Sequence, residues 1–322
     1  MASALVLLVL ACHAPPPGER RAEPSGNAED LTAVLAEADR IPNSSGWFEV
    51  LRLPHRVYAF WEPGHAEKVN AFLILGSRTD LLYDTGMGIA SLRSTIDEVR
   101  EAERLPARDL LVVNSHNHLD HNGGNREFAT VHTVDDPWAR RRLQLGVPAG
   151  EAGGFVAYWA DLTPHPGVVP PAQFDPQTHA IPPYPLDQVR YLTEGQRIDL
   201  GDRKLQVLRT YSHSPDGVAL FEPGAGLFFG GDAFYGANYL VTDLAALAVD
   251  LRRIERLPIR WHYSSHGPQL ITAMQQGAHL ATVERMLAGD GTNTTTSFAG
   301  FSFPMRELDG VRVTLARELL LY

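Results

Sequence analysis

Apolar residues in this chain fall into short runs that stop at Gly, Pro, Asn or Asp, and into a few stretches with helical spacing. Runs of the first kind read as buried strands. Val57 to Trp61 and Ala71 to Leu75, divided by the turn Glu62-Pro63-Gly64, form a first group with Asp80 to Tyr83 and Leu110 to Val113. A second group comprises Gln206 to Leu208, Val218 to Phe221, Leu227 to Phe229 and Ile259 to Ser264. Within the first group, Ile89 to Leu105 carries Leu92, Ile96 and Val99 at helical spacing, which predicts a surface helix packed on a sheet. Ala245 to Leu257 and about Ala273 to Leu287 read as further helices, and Val311, Val313 and Leu315 mark a closing strand of period two.

Chemistry stands at the ends of these runs. Leu110 to Val113 stops at Asn114-Ser115 and is followed at once by His116-Asn117-His118-Leu119-Asp120-His121. From the chain's own His and Asp content such a run would arise by chance about one time in a thousand. It is expected on a loop at the strand's end, with Asn122-Gly123-Gly124-Asn125 turning the backbone through positive φ. Three more residues of ligand type lie beside turn residues: His213 after Lys204 to Leu208, Asp232 after Leu227 to Phe229 and two glycines, and His266 after Arg260 to Ser265. Neutral imidazole suits zinc, and Asp120 adds a charged oxygen.

The run His-x-His-x-Asp-His, the distant His213, the Gly231-Asp232 pair and the final His266-Gly267 resemble the signature of the metallo-β-lactamase superfamily, over roughly residues 47 to 268. The resemblance implies an α/β fold, a four-layer αββα sandwich of two similar halves with metals at one edge. It implies that His116, His118 and His213 hold one ion, that Asp120, His121 and His266 hold a second, and that Asp232 bridges them. Asp84-Thr85-Gly86 also resembles the family, with Asp84 orienting a ligand histidine. Thr210-Tyr211-Ser212-His213 departs from the Thr-Pro-Gly-His common in relatives.

Two zinc ions, with iron or manganese left open by ligand identity alone, would lower the pKa of bound water toward ~7. The bridging hydroxide so formed is the expected nucleophile on a polarised carbonyl, with Asp120 assisting proton movement. The resemblance thus implies a dinuclear zinc hydrolase of a lactone, carboxylic ester or thioester. A glyoxalase II-like thioesterase and a β-lactamase are alternatives, and a mononuclear-iron persulfide dioxygenase is the alternative from another class. Tyr235 stands three residues after Asp232, the offset at which N-acyl homoserine lactonases of the superfamily have a tyrosine, whereas the best-known zinc β-lactamases have Cys and Lys at these two positions. Its phenol would donate to a developing oxyanion, or else pack as a core residue. Residues 146–186, rich in Pro and Gly and carrying Phe155, Tyr158, Trp159, Phe174 and Tyr184, read as a long loop whose aromatics cover the site or pin the loop to the core. His65, His132, His165, His179 and His262 read as structural or exposed.

Composition refines this reading. With 322 residues and 44% apolar content, the chain can bury the core of one catalytic domain, expected over 47–322. A net charge of −10 argues against nucleic acid, and a small-molecule substrate is expected. Ala4 to Leu10 is an apolar run ending at Ala11-Cys12, the sole cysteine, so residues 1–12 resemble a bacterial lipoprotein signal. An ordinary signal peptide and a mis-assigned start of a cytoplasmic protein are the other readings. The run is too short to span a membrane. Residues 13–46 are expected to form a tether, with Pro15-Pro16-Pro17, and a short amphipathic helix marked by Leu31, Val34, Leu35 and Ala38. The expected location is the bacterial cell envelope, with attachment through lipidated Cys12. On this reading Cys12→Ser moves the protein from the detergent phase to the aqueous phase with turnover unchanged; identical partitioning of wild type and mutant would exclude lipidation.

Overall fold

A computed structural model describes residues 31–65, 67–149, 168–234, 236–267, 269–271, 274–298 and 301–316. The signal and its Cys12, the tether, Tyr235, His165 and residues 150–167 of the expected long loop lie outside the described residues.

One sheet runs in simple sequence order through β1 (Asp39–Ile41), β2 (Glu49–Leu53), β3 (Val57–Trp61), β4 (Asn70–Ile74), β5 (Thr79–Tyr83), β6 (Asp109–Val113), β7 (Val131–Val134) and β8 (Val189–Leu192). Neighbours are antiparallel as far as β5 and parallel from β5 to β8. A second sheet has the order β15 (Leu270–Ile271), β14 (Trp261–Tyr263), β12 (Leu227–Phe229), β11 (Gly217–Glu222), β10 (Lys204–Thr210) and β9 (Arg197–Asp199), with β12 and β14 parallel. A smaller sheet joins β13 (Asn238–Val241), β18 (Val311–Leu315), β17 (Phe301–Leu308) and β16 (Thr292–Phe298).

The central strands are apolar on both faces because both are covered. In β4 every residue is buried, Phe72 and Ile74 toward the second sheet and Ala71 and Leu73 toward the helices. Between the sheets Phe229 and Tyr263 stack with ring centroids 4.6 Å apart, and Phe72 meets them edge-on at 5.6 and 5.7 Å. Outside the first sheet, Leu92, Ile96 and Val99 of α2 (Leu92–Ala102) pack on Tyr58, Phe60 and Leu82. Outside the second, α5 (Leu244–Ile254) and α6 (Met274–Leu287) pack Leu247, Leu251 and Val283 on Phe221 and Phe228. Helix, sheet, sheet and helix are the four layers the sequence implied.

Upstream, the packed fold reaches beyond the expected start at residue 47. Val34, Leu35 and Ala38, in and just after α1 (Leu31–Glu37), lie against the inter-sheet core, and β1 is the sheet's edge strand. At the other end of the chain, β16 was not legible because Thr-Asn-Thr-Thr-Thr-Ser is polar and lies on the surface. In the described part of 146–186, Phe174 and Tyr184 pack against the first outer core, and Tyr184 Oη donates to Phe128 O at 2.9 Å.

The expected glycine turn works differently from its sequence reading. Gly123 has φ −57 and Gly124 φ −86, so neither uses the left-handed region. They are required by proximity: a Cβ on Gly123 would lie 2.3 Å from Met87 C, and one on Gly124 2.5 Å from Thr85 O. Backbone of the β5 turn thus lies directly against backbone of the histidine loop. Gly123→Ala should therefore lose roughly 1–3 kcal/mol by chemical denaturation, an overpacking cost. Gly224→Ala, whose nearest contact would be 3.9 Å away, is the control expected to stay within about 0.5 kcal/mol.

Candidate metal centre

All the described ligand candidates follow strand ends on one side of the sandwich. The His116–His121 run follows β6, His213 follows β10, Asp232 follows β12 and His266 follows β14. The first run is not wholly loop. His118 is the N-cap of a single helical turn, α3 (Leu119–Asn122), which carries Asp120 and His121. A reciprocal amide pair closes the segment: Asn114 Nδ2 donates to Asn125 Oδ1 at 3.0 Å and Asn125 Nδ2 to Asn114 Oδ1 at 2.9 Å.

Seven side chains converge. His116, His118 and His213 form one cluster, Asp120, His121 and His266 a second, and His116, His121 and Asp232 a third between them; within each, candidate ligand atoms lie within 4.8 Å of one another. His118 Nδ1 is 2.8 Å from His116 Nε2 and 2.9 Å from His213 Nε2. His121 Nε2 is 3.2 Å from His266 Nε2 and 3.4 Å from Asp120 Oδ2. Asp232 faces both sides, with Oδ2 3.0 Å from His266 Nε2 and 3.6 Å from His213 Nε2, and Oδ1 3.2 Å from His121 Nε2.

The outward nitrogens decide which way the inward ones face. His213 Nδ1 lies 2.7 Å from Leu240 O and His266 Nδ1 2.6 Å from Glu67 O. A carbonyl only accepts, so both Nδ1 atoms carry a proton and both rings turn Nε2 inward, where each ring in its neutral form offers a lone pair. His121 Nδ1 faces Asp84 Oδ2 at 3.0 Å, while Asp84 Oδ1 accepts from Ser115 N at 2.6 Å. This is the contact that an orienting Asp84 would make, and Asp84 is fully buried and held at φ 67 just after β5. Inward-facing acceptors and two carboxylates fit divalent cations, the partners that satisfy lone pairs and negative charge together.

The carboxylates and burial pull the ring protonation of this cluster in opposite directions. Burial would push the His121 imidazole down, but Asp232, Asp120 and Asp84 outweigh it and hold it well above the usual range. His266 is likewise opposed by burial, yet Asp232 and Glu67 raise it to about 9. His118, with burial and His213 acting against its charge, falls to about 3.

Several contributors had no signal in the sequence. Glu67 holds His266 through its carbonyl, with Oε2 3.6 Å from Nδ1. Buried Asn70 donates from Nδ2 to Ser264 O at 2.9 Å and Gly267 O at 3.2 Å, fixing the backbone on either side of His266. Asn117 Nδ2 donates to buried Asp216 Oδ2 at 2.7 Å and ties the first histidine loop to the one carrying His213. Trp138, in α4 (Pro137–Leu145), meets the His118 ring edge-on at 5.5 Å. Of the remaining histidines, His132 binds Val112 O, His179 binds Met87 O, and His65 and His262 are buried and belong to none of the ligand clusters.

The sequence profile of the metallo-beta-lactamase superfamily matches residues 66–283. A human protein named acyl-coenzyme A thioesterase MBLAC2 is 32% identical over 194 residues, covering 56% of this chain and 63% of that protein. The chicken protein of the same name is 31% identical over 191 residues, covering 56% of this chain and 62% of its own. This chain therefore spans less than two thirds of the length of these curated relatives. Among solved structures, a beta-lactamase domain protein from Burkholderia ambifaria superposes with a TM-score of 0.52 at 18% identity, covering 79% of this chain and 81% of that one.

Asp84 makes its two contacts through two different oxygens, and an amide has only one. Asp84→Asn should keep the fold but weaken metal affinity roughly 10–100-fold, read by competition with a chromophoric chelator; unchanged affinity would show that Asp84 does not orient His121.

Proposed function

This chain belongs to the metallo-beta-lactamase superfamily, and we propose that it is a metal-dependent hydrolase of carbonyl esters, with thioesters first among its substrates. The observation that carries the reading is the pair of inward Nε2 atoms, on His213 and His266, each ring held by a backbone carbonyl at Nδ1 and fixed beside Asp120 and Asp232. The relatives named acyl-coenzyme A thioesterase support the thioester over the lactone and the simple ester. Localisation follows the sequence: in this reading the enzyme works at the bacterial cell envelope, held by Cys12.

His116, His118 and His213 would hold one ion, Asp120, His121 and His266 the other, and Asp232 would touch both. Zinc, the ion we favour, supplies Lewis acidity and lowers the pKa of water toward ~7 when bound. The chain's own residues do the rest. Asp120, its side chain 9% exposed beside His121 and His266, would take the proton released as water adds to the carbonyl carbon. Tyr235, three residues beyond Asp232, would donate its hydroxyl hydrogen to the carbonyl oxygen as that atom gains charge. The carbon–sulfur bond would then break, and the departing thiolate would take up the proton held by Asp120.

Metal analysis followed by a panel of acyl thioesters, lactones and β-lactams, with and without chelator, tests the proposal. Two ions per chain and chelator-sensitive thioester hydrolysis are expected. One iron per chain with oxygen consumption would move the assignment to a persulfide dioxygenase. Asp120→Asn, measured after full metal loading, should remove most of kcat, and undiminished turnover would exclude Asp120 as proton acceptor. Tyr235→Phe keeps ring packing and deletes one donor, so kcat should fall by up to about 10²-fold with metal content constant; an unchanged kcat would return Tyr235 to a packing role.

A further inference from the structure

His121 and His266, which would serve the same ion, are held by two different turns. His266 rests on the turn between β3 and β4: its Nδ1 lies 2.6 Å from Glu67 O, Gly267 N donates to Lys68 O at 3.0 Å, and Val69 pairs with His266 in an antiparallel bridge. His121 rests on the turn after β5. There Thr85 N donates to His121 O at 2.8 Å, Gly123 N donates to Gly86 O at 2.8 Å, and Asp84 Oδ2 lies 3.0 Å from His121 Nδ1. One side chain joins the two turns. Glu62, the first residue after β3, is 1% exposed, and its Oε1 accepts from Met87 N at 2.9 Å. Its Oε2 accepts from Trp47 Nε1 at 2.5 Å, and its own N–H donates to Val69 O at 2.9 Å. Gly86 leaves room for this carboxylate: a Cβ there would lie 2.3 Å from Glu62 Oε1. His213, of the other ligand set, is held from Leu240 O, which belongs to neither turn.

We propose that Glu62 is a positioning residue for the ion of Asp120, His121 and His266. By tying the turn of Glu67 to the turn of Asp84, it sets the separation of His266 and His121, whose Nε2 atoms lie 3.2 Å apart. A carboxylate suits the place because its two oxygens accept from two donors at once, and a buried donor left without a partner is costly. Met87 and Trp47, which supply those donors, are both buried. The Trp47 indole engages one oxygen and leaves the other to Met87 N, so the side chain is held in the orientation that joins the turns. Glu62 acts at one remove from the ligands, through the groups that orient them. Its effect is therefore expected at the low end of the range seen when the partners of metal ligands are removed. This assignment rests on the two-ion reading of the ligand set.

Zinc affinity, read by competition with a chromophoric chelator, tests the assignment. The two ions are told apart in His213→Ala and His266→Ala backgrounds, each of which removes a histidine from one set. Glu62→Met keeps an unbranched side chain and removes both acceptors. In the His213→Ala background it should weaken the ion of Asp120, His121 and His266 about tenfold. In the His266→Ala background the other ion should stay within about twofold. Glu62→Gln keeps one acceptor, for which two donors contend. Adding Trp47→Phe removes one of them, so the double variant should bind more tightly than Glu62→Gln and come within about threefold of Trp47→Phe alone. A general loss of packing would instead be deepened by the second substitution. Should Glu62→Met fail to fold, Glu62→Gln and its rescue decide. Equal weakening of both ions, no weakening of either, or a double variant weaker than Glu62→Gln would overturn the assignment. A wild type that binds a single ion would sink the two-ion reading instead, and loss in Glu62→Met with recovery in the double variant would then test Glu62 on that ion.

Discussion

Acceptors crowded together repel one another. His213 and His266 have each committed an Nδ1 proton to a backbone carbonyl, so each in its neutral form presents a lone pair to a space also faced by Asp120 and Asp232. Left to itself such a group would spread apart or fill with water. Much of the surrounding structure can be read as what opposes that spreading: Asp84 in a left-handed backbone conformation, the Asn114–Asn125 amide pair, and glycines at 123 and 124 where no Cβ fits.

Opposition of this kind must be rigid, and the rigidity comes from between the sheets. The aromatic cluster of Phe72, Phe229 and Tyr263 fixes the two halves face to face. Polar contacts then tie the strand ends: Val218 N donates to Ser115 O at 2.7 Å, Tyr83 Oη to Val218 O at 2.5 Å, and Asn117 to Asp216. A shift of either sheet would pull His116 and His118 away from His213, because these ligands come from opposite halves. Packing and site geometry are in this sense one property.

The readability of the chain follows from how local each feature is. Strands buried on both faces, such as Val57–Trp61 and Leu227–Phe229, announced themselves by composition, and the histidine run by its density. Strands whose faces are wet, such as β9 and the Thr-rich β16, gave no comparable pattern, since a half-exposed polar strand resembles a loop until its neighbours are known. The same division runs through the site. His116 to His121 could be found from spacing, but Glu67, Asn70 and Asp250 act through contacts that no local pattern encodes. Positive φ at Gly123 was the natural inference from a glycine pair, yet the pair answers to a backbone neighbour some 36 residues earlier in the chain.

The two halves also carry their ligands on different terms. The first half places four candidate ligands on one segment, so the amide pair and the turn of α3 position them together. In the second half each ligand arrives alone on its own strand end. There each histidine depends on partners far off in sequence: His266 on Glu67, 199 residues away, and the loop of His213 on Asp250, 38 and 39 residues from the amides it holds. These contacts leave His213 resting on a helix of the outer layer rather than on the core between the sheets. That dependence makes the outer face of the second sheet part of what positions His213.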